Sequence, residues 1–127
     1  MDKRILIWSV LVITIGISYV AIQKVLPTMC GNEISAQIDS PDKKHVAIVF
    51  QRGCGATTSF NTQVTVLEER EVLENEAGNV LIAEGHPSNS GFELAWLNSS
   101  TLHIKNKNNA KQYKNEEKIG SVVVRYE

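Results

Sequence analysis

The sequence predicts a mostly β fold, an antiparallel sheet or a small sandwich of about seven strands, preceded by one N-terminal transmembrane helix. Three observations predict it. Residues 5–22 hold no charged side chain. Beyond residue 30 the apolar residues recur with period two or in short runs, never at helical spacing. Clusters of Gly, Pro, Asn, Asp and Ser separate those runs at intervals of about 8–12 residues, the punctuation of short strands.

Residues 5–22 read ILIWSVLVITIGISYVAI. These eighteen residues, at about 1.5 Å each, reach roughly 27 Å, close to the ~30 Å hydrocarbon thickness of a bilayer. Ser9, Thr14 and Ser18 are its polar members, and their hydroxyls can bond back to helix carbonyls. Trp8 and Tyr19 suit the two interfacial belts. A cleaved secretory signal is the rival reading, and a buried helix of a soluble protein is a third. A signal has an apolar region of about 7–15 residues followed by small residues at the cleavage site. Here the run is longer, Lys24 follows closely, and no A-x-A pattern appears. A lipid-modified Cys30 is disfavoured, because Pro27-Thr28-Met29 precedes it where a small residue is expected.

Lys3 and Arg4 precede the apolar run and Lys24 follows it, so positive charge keeps the N-terminus inside and the remainder is exported. The expected organisation is an uncleaved anchor over residues 1–24, a juxtamembrane linker over 25–32 and an extracytoplasmic β domain over 33–127. The expected location is a bacterial inner (cytoplasmic) membrane, crossed once, with residues 5–22 in the lipid bilayer and the β domain periplasmic or extracellular.

Net charge is −1, but the anchor and the domain differ. From residue 25 onward ten Lys and Arg face thirteen Asp and Glu, about −3 in all. A domain of that sign gains nothing by releasing counterions from phosphates, so nucleic acid is excluded as an expected partner.

After Leu26-Pro27, which ends any helix, residues 33–38 form a first candidate strand closed by Asp39-Ser40-Pro41-Asp42. Residues 45–51 (HVAIVFQ) are a nearly continuous apolar run, as in a central strand buried on both faces. Residues 62–67 alternate around Val64 and Val66, and the charged stretch 68–76 leads to a loop at Ala77-Gly78-Asn79. Residues 79–84 are another strand, and 86–91 a surface loop. The clearest hairpin follows: Phe92, Leu94 and Trp96 share one face with Leu102 and Ile104, across Asn98-Ser99-Ser100. Glu93, His103 and Lys105 point to water. Residues 106–117 are a polar loop, and 119–126 the last strand.

Export makes the two cysteines readable. An oxidising compartment favours one Cys30–Cys54 disulfide, closing a loop of about 25 residues and contributing roughly 2–4 kcal/mol. Free thiols and a metal site are the alternatives. Two cysteines without CxxC spacing and three scattered histidines make a poor zinc set, so no metal and no cofactor are expected.

Ser40-Pro41-Asp42-Lys43-Lys44 followed by HVAIVF resembles the SPDGK-plus-strand element of β-propeller blades, with Lys43 in place of Gly. Trp96-Leu97-Asn98 before Thr101-Leu102-His103-Ile104 has the same character. One or two such units cannot close a propeller, so the likeness extends to local hairpin geometry alone. The segment from Cys54 to Gln63 reads CGATT-S-F-N-T-Q. With Cys30-Gly31-Asn32-Glu33, SPDKK, Gly78-Asn79-Val80 and the Trp96 hairpin, it resembles a family of uncharacterised bacterial proteins. Those proteins are short, begin with a signal or membrane segment and share CGATT-x-F-x-T-Q. The likeness covers most of residues 30–126 and implies bacterial origin and the extent of the domain, but no mechanism. Gly53 stands where that pattern leads one to expect an acidic residue.

The same segment holds the candidate binding residues Arg52, Gly55, Thr57, Thr58 and Gln63. Gly53 and Gly55 free the backbone around Cys54, and Arg52 is the sole arginine between residues 4 and 70. A surface of Arg52 and open amides suits an anionic or carbonyl ligand. The same residues also suit a disulfide-pinned bulge whose hydroxyls satisfy their own backbone. A cysteine hydrolase needs a Cys54 thiolate beside a histidine, and nothing in the spacing pairs His45, His86 or His103 with it. His45, at a strand start after a lysine, is expected to be exposed. Glu68-Glu69 and Glu116-Glu117 are adjacent pairs that point to opposite faces of a strand and read as solvated charge. The expectation is therefore a membrane-tethered binding module without catalytic activity that meets an envelope protein. The alternative is a thiol-dependent hydrolase or thiol–disulfide protein using Cys54.

Overall fold

The computed structural model describes residues 1–25, 29–56 and 58–127, which form two compact units, Met1–Cys30 and Gly31–Glu127. Leu26 and Pro27, expected to stop the helix, and Thr57 lie outside the described residues. The first unit is α1 (Lys3–Val25). Its large apolar side chains lie on all sides and are 47–67% exposed. Ser9 donates its hydroxyl to the Leu6 carbonyl at 2.9 Å, and Thr14 to that of Leu11 at 2.9 Å, so neither leaves a bare polar group. Among the described residues this is the one helix long and apolar enough to cross a membrane, over Lys3–Lys24.

The second unit is a sandwich of nine strands among the described residues. One sheet holds β1 (Gly31–Asp39), β2 (His45–Gly53), β3 (Asn61–Glu68), β4 (Leu81–Glu84) and β7 (Gln112–Asn115), in that order. The other runs β5 (Phe92–Asn98), β6 (Thr101–Asn106), β9 (Val122–Tyr126) and β8 (Lys118–Ile119). The mostly β class holds, with four corrections. β7 forms inside the stretch expected to be a polar loop, because its backbone completes the open edge of β4. The last expected strand divides into β8 and β9 at Gly120, whose φ of 57° turns the chain back on itself. The sheet order also makes β6 and β9 parallel, so the second sheet is mixed. β1 begins at Gly31, inside the expected linker, because Gly31 already pairs with Gly53.

The core lies between the sheets. Ala47, Val49, Val64, Val66, Leu81 and Ala83 of the first face Leu102, Ile104, Val122 and Val124 of the second. Phe92, Leu94 and Trp96 pack along its margin as the alternation of that hairpin requires. Trp96 Nε1 donates to the Ile38 carbonyl at 2.9 Å, tying β5 to β1. Tyr126 does the same elsewhere: its hydroxyl donates to the Glu116 carbonyl at 2.7 Å and lies 3.3 Å from that of Val80. Burial pushes this phenol up to about 12, so it remains a donor.

β2 is apolar on its other face as well. Ile48 and Phe50 form a second cluster with Leu67, and Phe50 is 0% exposed. Among the described residues no third sheet covers them; the chain between β3 and β4 does. Leu73 packs onto this cluster. Gly78 N donates to Gln63 Oε1 at 2.8 Å and Asn79 N to Thr65 Oγ1 at 2.9 Å. The Asn79 side chain bonds both the N–H and the carbonyl of Val66, at 2.9 Å each, continuing the β3 ladder with an amide. Gly78 is required by space, since a Cβ there would lie 2.7 Å from the Val64 carbonyl oxygen. Residues 69–79 are therefore a strap, packed at Leu73, Gly78 and Asn79 and hydrogen-bonded at intervals between.

The β1–β2 turn keeps the geometry of the glycine its sequence lacks. Lys43 sits at φ 58°, its N–H bonded to the Ser40 carbonyl at 2.8 Å. The Ser40 hydroxyl donates to Asp42 at 2.7 Å, which with the Lys44 N–H holds the Asp42 carboxyl below its usual range. A left-handed non-glycine residue costs about 1–2 kcal/mol, and the extra freedom of an unfolded glycine offsets roughly half of that. Lys43→Gly is therefore expected to stabilise the full chain in mild detergent by about 0.5–1 kcal/mol, raising Tm by a few degrees. Thermal unfolding followed by circular dichroism checks it.

Candidate functional site

The ladder of β1 and β2 ends on the rungs Asn32–Arg52 and Gly31–Gly53, with Cys30 and Cys54 next along each strand. Both cysteines are disulfide-bonded. Cys54 Sγ is thus no thiolate in this structure, and a nucleophilic role would first need the bond reduced.

Arg52 points to the same outer face as Ile48 and Phe50 and is half-buried. Its Nη1 donates to Asn32 Oδ1 at 2.8 Å and to Asn75 Oδ1 at 2.9 Å. Asn32 in turn donates from Nδ2 to the carbonyls of Glu76 at 2.9 Å and Glu74 at 3.1 Å. The result is a clasp: one guanidinium and one amide hold the middle of the strap against the end of β1 and β2.

The other candidate residues are also bonded within the fold. Thr58 Oγ1 accepts from Cys54 N at 2.9 Å, and Thr58 N donates to the Gly55 carbonyl at 3.2 Å. Gly55 takes φ 115°, which closes this turn and which a side chain would strain. Gln63 is buried, accepting from Gly78 and donating to Asn61 Oδ1 at 3.1 Å. Asn61 bridges both backbone groups of Arg52, accepting from its N–H at 3.0 Å and donating to its carbonyl at 2.7 Å. Thr57 lies outside the described residues. The structure therefore joins Arg52 and Gln63 through Asn61, sets Gly55 and Thr58 in a neighbouring turn, and directs these groups mostly at protein atoms.

Each histidine has its own neighbours. His45, expected to be exposed, is half-buried, its ring stacked on Trp96 at 6.3 Å because position 45 continues the inner face of β2. His86 meets the exposed ring of Phe60 edge-on at 5.5 Å, and its Nδ1 accepts from Ser88 N at 3.1 Å. His103 Nε2 lies 3.2 Å from Glu127, whose carboxyl Lys105, at 2.8 Å, holds below its usual range. Among the described residues no cluster of three or more His, Cys, Asp and Glu is arranged to hold a metal.

Sequence reasoning missed the open groove beside the strap. It has a volume of about 470 Å³ and lies between the outer face of β1 and residues 69–73, over Val46 and Ile48. A signal for it was present: Val72-Leu73 is an apolar pair inside a run of glutamates. Leu73 packs inward, while Val72 is 79% exposed.

No family model matches the sequence, and no curated protein or solved structure matches it.

The clasp predicts the behaviour of Arg52. Arg52→Ala leaves the Asn32 and Asn75 carbonyls without their charged donor, and charged hydrogen bonds of this kind contribute about 1.5–3 kcal/mol when buried. For this half-buried site the expected loss is about 1–2 kcal/mol. Arg52→Lys recovers little, since one ammonium does not reproduce the planar fork. Denaturant unfolding of the full chain in detergent measures both.

Proposed function

We propose that the chain is a membrane-tethered binding module of the bacterial envelope. α1 is an uncleaved single span, its N-terminus cytoplasmic, and the β sandwich works in the periplasm or outside the cell. The observation that carries this reading is the pairing of an exposed helix whose residues 5–22 hold no charge with a sandwich whose polar candidate residues are hydrogen-bonded within the fold. The first needs lipid, and the second leaves recognition to the surface. Lys3 and Arg4 ahead of the span against Lys24 behind it support the orientation. The bonded cysteines support an oxidising compartment. The CGATT-x-F-x-T-Q family is part of the same proposal and supplies no activity. A thiol–disulfide role is the second reading, favoured by the exposure of Cys54.

A reporter enzyme active only outside the cytoplasm, fused after Glu127, is expected to be active in intact cells. A photo-cross-linking residue placed at exposed positions of the two sheets is expected to trap a discrete protein adduct from one face. A silent reporter contradicts the orientation. Adducts from no face, together with rapid dithiol exchange at Cys54, favour the second reading.

A further inference from the structure

We propose that the groove between β1 and the strap receives an extended segment of a partner protein in which lysine or arginine flanks an aliphatic side chain. The proposal rests on the binding-module reading and names the chemistry of its partner.

The groove is built by two local irregularities. In β1 the register slips between Ile34 and Ala36, so Ile34 shares the outer face with Phe50, and Gln37 and Asp39 share it further along. The slip leaves Ile34 as one wall, 48% exposed. The strap supplies the other wall, where Leu73 turns in to cover Ile48 and Phe50 and Val72 turns out. Val46 and Ile48 form the floor. A volume of about 470 Å³ falls within the ~300–1,000 Å³ of small-ligand sites, room for two or three side chains of an extended peptide. Two exposed aliphatic walls over an aliphatic floor favour an aliphatic occupant.

Charge decides what flanks it. Asp39, Glu69 and Glu71 line the groove with one lysine, Lys43. Among the described residues none of these carboxylates belongs to an ion pair; the pairs present are Glu127 with His103 and Lys105, and Glu93 with Lys107. The strap also carries Glu74 and Glu76 further along, with Arg70 its sole cation. An acidic segment or a phosphate would be repelled here, whereas a cationic one meets carboxylates that form no ion pair among the described residues, Glu71 accepting only the Glu68 N–H at 3.4 Å.

The test uses the full chain in nanodiscs of zwitterionic lipid, which do not themselves attract a cationic peptide. The probes are fluorescent peptides of sequence Lys-Val-Lys-Leu-Lys and Glu-Val-Glu-Leu-Glu, followed by anisotropy. The cationic peptide is expected to bind at least tenfold more tightly. Glu69→Lys with Glu71→Lys weakens it tenfold or more, while Glu116→Lys with Glu117→Lys, an equal change of net charge elsewhere, changes it less than twofold. Val72→Ser weakens it several-fold without altering charge. Equal losses from the two charge reversals, equal binding of the two peptides, or no binding of either overturns the groove. Adducts formed in cells from other faces, with no peptide binding here, overturn the groove and leave the tethered module standing.

Discussion

β2 carries apolar side chains on both faces, Ala47 and Val49 on one and Ile48 and Phe50 on the other, so each face must be covered. The second sheet covers the first face. With only about a hundred residues in the domain, nothing as large is left for the second. The link between β3 and β4 covers it instead, and the rest of the structure follows from that economy. A covering segment without strand pairing must still satisfy its own amides, which is why Gln63, Thr65, Asn79 and Asn32 each bond to it or from it. Gly78 lets it approach β3 closely, Arg52 clasps its middle, and the disulfide closes the ladder from which the clasp projects.

What the sequence made legible was what depends on local pattern. The Trp96 hairpin, the two-faced β2 and the apolar helix are each written in the period or length of one short segment. What it hid depends on distant neighbours. β7 has no apolar stripe to advertise it and exists because β4 offers an open edge. The division at Gly120 reflects a sheet order in which β9 runs parallel to β6. The polar stretch 52–63 was legible as a feature but not as a role. Only the fold shows that Arg52 is directed at Asn32 and Asn75, forty-odd positions apart in sequence.

The same economy bears on function. A strap narrow enough to cover Phe50 does not reach across β1, so Ile34 and Val72 both line an open groove whose carboxylates form no ion pair among the described residues. The polar segment first singled out serves as the anchorage of this arrangement, and the recognition we propose shifts to the surface the strap leaves uncovered.

The claim on which all of this turns is that residues 69–79 are a packed layer and not a loose connection. Amide hydrogen exchange of the full chain in detergent tests it most directly, read at Gly78 and Asn79. If the strap is a layer, both amides are protected comparably with those of Val64 and Val66 in β3. Exchange at the rate of an unprotected amide would contradict it.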